Sequence, residues 1–122
     1  MSETLSPIAA IEAVVATYIK GMTRGDAALL KRAFHPGAEI IGHFEEGLEW
    51  DDLDAFIAVC EKAASPDAEA AFFRIQSITV TGDTAVAQVE DDLSGMRFDD
   101  TLTLLLHDGR WQIVSKLFYH RA

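Results

Sequence analysis

The chain has 122 residues, 49% of them hydrophobic, so it can bury roughly two thirds of the surface its unfolded form exposes and needs no disulfide or metal staple. Its lone cysteine, Cys60, excludes an intramolecular disulfide and any metal site built from several thiolates. Twenty acidic residues against ten basic give a formal charge of −10, which repels phosphate backbones and anionic membranes, so neither nucleic acid nor a membrane is expected as a partner.

The opening "MSETLSPIAAIEAVV" has no basic flank before its apolar residues. No apolar run approaches the roughly 18 residues a bilayer requires, and a cytoplasmic protein is expected. Ser6 can cap a first helix with Pro7 at its first position. Ile8, Ile11, Val15, Tyr18, Ile19 and Met22 recur at helical spacing and form its apolar face, and Gly25 stops it. Asp26 can cap a second, short helix, "AALLKRAF", whose Leu29, Leu30, Ala33 and Phe34 face inward before Pro36 and Gly37 end it. "AEIIGHFEEGLEW" reads as a short hairpin turning at Glu46-Gly47. Asp51 or Asp52 then caps a third helix with an apolar stripe of Leu53, Phe56, Ile57 and Cys60, closed by Ser65-Pro66. The acids from Glu45 to Asp54 read as a solvated turn and helix start.

From Ala70 the period becomes two, which predicts four antiparallel strands with turns at "TGDT" and "HDGR". A two-residue loop at Asp108-Gly109 sets a register by counting outward. Leu106 meets Trp111, Leu104 meets Ile113, Leu102 meets Ser115, Asp100 meets Leu117 and Phe98 meets Tyr119, all on one face. Val114, Lys116 and Phe118 fall on the other, a mixed face with enough apolar area for a partner sheet. Counting around Gly82-Asp83 puts Arg74 opposite Asp91 and Gln76 opposite Val89. With the apolar ends of both hairpins under the helices, Arg74, Gln76, Asp91, Asp100, Ser115 and Tyr119 gather at one mouth of a concave surface, the polar rim a cavity needs. Phe73 and Ile75 violate this pattern, which a bulge near Gln76-Ser77 would repair.

This order of elements, with "YIKGMTRGDAALLKRAFHPGAEIIG" and "DTLTLLLHDGRWQIVSKLF", resembles the nuclear-transport-factor-2-like superfamily, in the branch labelled "putative lumazine-binding" near the SnoaL-like polyketide cyclases. The resemblance spans nearly the whole chain, read as one domain over residues 1–122. It implies an α+β, cystatin-like cone with three N-terminal helices packed on a curved antiparallel sheet enclosing a pocket, and commonly a homodimer joined through sheet faces. The chain departs from the branch pattern at Thr101, His107 and Ser115, where an aromatic, a lysine and an asparagine are usual.

Asp100 and Asp91 are the leading candidates for general acid or base, because a carboxyl on an otherwise apolar concave face is desolvated and its pKa rises. An ion pair of Asp91 with Arg74 is the competing role. His35, at the end of the second helix, either caps carbonyls or lines the pocket mouth as acid or base. Tyr18, Trp50, Phe56, Arg74, Gln76, Leu102, Ser115 and Tyr119 are the candidate contacts for a small apolar or aromatic ligand, with packing the commoner role of such tyrosines and tryptophans. Lys116 falls on the outer face as a dimer contact, and Cys60 reads as a small core hydrophobe. The histidines lack metal-ligand spacing, and no glycine-rich phosphate loop, dinucleotide fingerprint or nucleophile elbow is present, so neither metal nor cofactor is expected. Two functions follow: a small-molecule-binding protein, or an isomerase, cyclase or dehydratase that moves a proton with a pocket aspartate.

Overall fold

Each helix begins where a side chain can take up its unpaired N–H groups. In the computed structural model, which describes residues 6–64 and 71–121, the Ser6 hydroxyl accepts from the Ala9 N–H and opens α1 (Pro7–Arg24). Gly25, left-handed at φ 61°, closes α1 by donating to the Gly21 and Met22 carbonyls. Asp26 caps α2 (Ala27–Ala33), and Asp52 caps α3 (Leu53–Ala63) through the Ala55 N–H at 2.9 Å. The expected closure at Ser65-Pro66 and the strand start at Ala70 lie outside the described residues.

The strands are β1 (Phe34–Phe44), β2 (Gly47–Asp52), β3 (Phe73–Thr81), β4 (Thr84–Leu93), β5 (Met96–His107) and β6 (Arg110–Arg121), ordered β2-β1-β6-β5-β4-β3 in one sheet. The sheet is mixed: β1 runs parallel to β6, and every other neighbouring pair is antiparallel. Phe34 opens β1 instead of closing α2, and the β1–β6 register slips between Phe34 and Glu39. Pro36 and Gly37 fall in that slip, where a missing ladder N–H costs nothing. The first hairpin turns at Glu45-Glu46, one residue earlier than expected, with Glu45 at φ 56°. Asp108 and Gly109, at φ 51° and 77°, form the expected two-residue turn.

Ile11, Val15, Ile19 and Leu30 from the helices meet Ala87, Leu102, Leu104 and Ile113 of the sheet in one core, while Ile8, assigned to the apolar face, is 43% exposed beside the helix start. Tyr18, Phe34 and Phe56 pack edge to face around the centre, with Tyr18 and Phe34 ring centroids 5.4 Å apart.

Two bulges decide which residues share the concave face. In β3 the extra residue is Gln76: Ile75 pairs with Val89 and Ser77 with Gln88, so Phe73 and Ile75 turn inward and Arg74 turns out, as the expected bulge at this place requires. In β6 the extra residue is Val114, between Ile113 opposite Leu104 and Ser115 opposite Thr103. Beyond it the counted pairings shift by one: Leu102 meets Lys116 and Asp100 meets Phe118. Lys116 and Phe118 therefore belong to the inner face, and Ser115, Leu117 and Tyr119 to the outer one.

Gly42 makes this arrangement possible on the β1 side. A Cβ there would stand 2.5 Å from the Phe118 carbonyl oxygen and 2.8 Å from its ring, whereas one on Gly47 meets nothing within 4 Å. Gly42→Ala is therefore expected to lower stability by about 1–3 kcal/mol in urea unfolding, and Gly47→Ala to change it by less than about 0.5 kcal/mol. Equal midpoints for the two variants would contradict this packing.

Candidate functional site

A cavity of about 250 Å³ opens between α3, the inner face of the sheet and the β4–β5 turn. That lies just below the roughly 300–1,000 Å³ usual for small-molecule sites. Its wall is mostly apolar, with Phe44, Phe56, Phe98 and Phe118 joined by aliphatic side chains and by Met22 and Met96. Four charged residues interrupt this surface: Asp91, Lys116, Glu49 and Asp51. Glu49 and Asp51, expected to be merely solvated, stand toward the solvent end. Burial and the Asp51 charge raise the Glu49 pKa, against an opposing pull from Lys116.

The β4–β5 ladder brings the two aspartates together. Val89 is opposite Asp100 and Asp91 is opposite Phe98, so the carboxyls are diagonal neighbours on one face, a spacing side chains bridge. Both are buried, Asp100 at 0% and Asp91 at 1% exposure. The Tyr18 hydroxyl, reaching down from α1, donates to Asp100 Oδ2 at 2.6 Å. Asp100 Oδ1 and Asp91 Oδ2 have no partner among the described residues. Two buried carboxyl oxygens left over beside one another are both satisfied by a single proton held between them. The energetics agree: burial, then the hydrogen bond to Asp100 and the Asp100 charge, push the Asp91 pKa up to about 9, with Lys116 pulling it down. Burial and the charges of both aspartates also raise Tyr18 well above an ordinary phenol, so it stays a donor.

Lys116 enters this interior through the Val114 bulge. It is 5% exposed, and its Nζ lies 4.4 Å from the Phe56 ring centroid, 5.1 Å from Tyr18 and 5.6 Å from Phe118. Among the described residues its one hydrogen-bond contact is the Met22 Sδ at 4.0 Å.

The sequence-derived candidates thus divide. Asp91 and Phe56 line the cavity, with Asp100 and Tyr18 immediately behind Asp91. Leu102 is wholly buried core. The others are displaced by the two bulges and by strand ends. Arg74 points outward to Glu90 at 3.5 Å and not to Asp91, and Gln76 reaches the same Glu90. Ser115 bonds Thr103 on the outer face, and Tyr119 is 66% exposed. Trp50 is 63% exposed on β2 and donates to Glu39. His35 lies in β1, accepting from the Gly37 N–H at 2.9 Å, with its ring 6.4 Å from His107 and outside the cavity lining. Sequence counting missed Lys116 and Phe118. The available signal was the adjacent apolar pair Ile113-Val114, the same kind of break in alternation that exposed the β3 bulge. Among the described residues no group of three or more His, Cys, Asp or Glu side chains is arranged to hold a metal ion. Cys60 is fully buried, and burial pushes its thiol up to about 11, which leaves it unreactive.

Solved structures of the same shape are found in several bacteria. An NTF-2-like protein of unknown function from Silicibacter pomeroyi DSS-3 is 51% identical, with a TM-score of 0.90 over 93% of this chain and 95% of that one. An NTF2-like protein of unknown function from Shewanella baltica OS155 is 27% identical, with a TM-score of 0.85 over 98% and 99%. Among curated proteins, the aldolase FrzH of Cladobotryum sp. is 28% identical over 113 residues, covering 88% of this chain and 89% of that protein. Residues 6–119 match the profile of the family described as "Putative lumazine-binding", and the chain belongs to that family, within the NTF2-like superfamily.

Proposed function

We propose that this protein is a small-molecule acid–base enzyme of the isomerase, cyclase or dehydratase kind. It takes a small, largely apolar or aromatic carbonyl compound into the cavity, and Asp91 exchanges a proton with it. Asp100 and Tyr18 are positioning residues that hold Asp91 and its proton. The observation that carries this reading is the pair of buried, mutually facing carboxyls with Asp91 on the cavity side. A carboxyl whose proton is retained near neutrality can deliver it, and take it back, without passing through solvent. Aldol chemistry, named for the 28% identical relative, also requires proton movement at or beside a carbonyl. A binding protein without catalysis is the second reading, favoured by the apolar wall.

We further infer a homodimer through the outer sheet face. The register aligns Trp50, Ile41 and Leu117 across β2, β1 and β6, and Trp50, Leu117 and Tyr119 are 63%, 48% and 66% exposed. Phe118, which faces the cavity, has no part in that surface.

Three measurements test these readings. With 2-tetralone in D2O, wild type is expected to accelerate exchange of the protons beside the carbonyl, followed by NMR. Asp91→Asn should slow it about 100- to 10,000-fold, and Asp54→Asn on exposed α3 should not. Binding of 2-tetralone without exchange, or full exchange by Asp91→Asn, would eliminate the acid–base role. The second measurement is stability against pH. The native chain holds a proton on Asp91 that the unfolded chain has released, so this group's contribution falls as pH rises from about 4 to about 9. The slope is limited to about 1.4 kcal/mol per pH unit. Asp91→Asn should flatten that decline and gain on wild type toward pH 9 in urea unfolding; parallel curves would refute the retained proton. Finally, light scattering of Leu117→Asp should show the mass of one chain where wild type shows two, and an unaltered mass would remove this face from the interface.

A further inference from the structure

We propose that Lys116 is the oxyanion-binding group of the cavity, and that the substrate is a carbonyl compound neutral on arrival whose oxygen becomes negative beside the Lys116 ammonium. This rests on the acid–base reading above and adds to it the group that receives the charge.

The first argument concerns unpaired donors. Every other strongly buried charged side chain among the described residues has a partner: Glu90 is held by Arg97 at 2.8 Å, Arg121 at 2.9 Å and Arg74 at 3.5 Å, and Asp91 and Asp100 have each other and Tyr18. Lys116 takes part in none of the ion pairs among the described residues. Three ring faces stabilise its charge, but an ammonium also has three N–H donors, and among the described residues their one hydrogen-bond partner is a thioether at the outer limit of contact. Since Lys116 lines the cavity, a ligand oxygen is what completes its hydrogen bonding.

The second argument concerns the sign of the ligand. Glu49 and Asp51 line the same cavity nearer solvent, and the chain carries a formal charge of −10. A ligand that arrives as an anion is repelled before it reaches Lys116. A neutral ketone or aldehyde is not. Its negative charge develops only inside, where a fixed cation in an apolar surround is most effective.

The step balances within the cavity. An oxygen of Asp91 on the cavity side takes the proton from the carbon beside the carbonyl, while the proton it shared moves onto Asp100. The C–H electron pair becomes the C=C bond, and the carbonyl pair moves to oxygen. The single negative charge of the carboxyl pair is thereby transferred to an enolate oxygen hydrogen-bonded to Lys116. Return of the proton from Asp91 to another carbon completes isomerisation. Attack of the enolate carbon on a second carbonyl moves the charge to a new alkoxide, which takes the proton from Asp91 and completes cyclisation. Either path restores the singly charged carboxyl pair.

The probe is 4-nitrophenol, which binds as a neutral phenol and reports its ionisation by absorbance. Wild type is expected to lower the ionisation midpoint of the bound probe by at least one pH unit, a tenfold preference for the phenolate. Lys116→Met should abolish the shift while binding nitrobenzene within twofold of wild type, which shows an intact cavity, and Lys116→Arg should restore part of it. An unshifted midpoint in wild type, no saturable binding, or an equal shift in Lys116→Met overturns the proposal. Covalent capture of 2-tetralone on Lys116 by borohydride also overturns it, because the residue would then be a nucleophile. Failure of the acid–base reading is distinguishable: the phenolate shift would persist in a protein that catalyses no exchange.

Discussion

Val114 has no partner across the β5–β6 ladder, and everything C-terminal to it is turned over as a result. Without that extra residue, strict alternation would bring Ser115, Leu117 and Tyr119 under the helices and leave Lys116 and Phe118 outside. The bulge reverses this choice and puts a cation and an aromatic ring on the face that already carries two carboxyls. Gly42 is its counterpart on the neighbouring strand, since only a residue without Cβ lets Phe118 lie against β1. The charged and aromatic make-up of the cavity wall is thus a consequence of one unpaired backbone position and one missing side-chain atom.

The second constraint is charge in a dry interior. Two carboxylates side by side at 0% and 1% exposure cannot both remain ionised, and the structure meets this with a tyrosine donor, a retained proton and a nearby ammonium. With the proton in place, the cluster of Asp91, Asp100, Tyr18 and Lys116 has balanced charge. Such a cluster contributes little to stability beyond what apolar residues of the same volume would supply. Its presence in the middle of an otherwise hydrophobic fold is therefore not accounted for by stability.

Much of this was legible in the residues. Helix caps at Ser6, Asp26 and Asp52 and the stop at Gly25 act locally, over three or four positions, and the sequence specifies them directly. The turn at Asp108-Gly109 and the pairing of Leu104 with Ile113 follow from backbone φ requirements and counting. Tyr18 and Phe56 could be assigned to the interior from helical spacing, and Asp91 and Asp100 because β4 and β5 keep strict alternation, the extra residues lying in β3 and β6. Ser115, Tyr119 and Lys116 were misassigned because counting from the turn carried no bulge in β6, where the break in alternation at Ile113-Val114 is a single pair; Arg74 turned out with the bulge that Phe73 and Ile75 had already signalled. His35 and Trp50 were misplaced for another reason: β1 begins at Phe34 and the β1–β2 hairpin carries Trp50 onto the convex side. The parallel pairing of β1 with β6 joins segments far apart in the chain, and no local pattern announces it.

Glu90 and Asp91 are adjacent on β4 and point to opposite sides of the sheet. On the convex side, Glu90 is gripped by arginines from β3, β5 and β6, which ties together four strands at the level where Asp91 projects into the cavity. The Asp91 carboxyl is therefore anchored from behind, through the thickness of the backbone. Loosening of the outer arginines would be felt as a tilt of the acid inside, so the convex surface and the cavity wall behave as one mechanical unit.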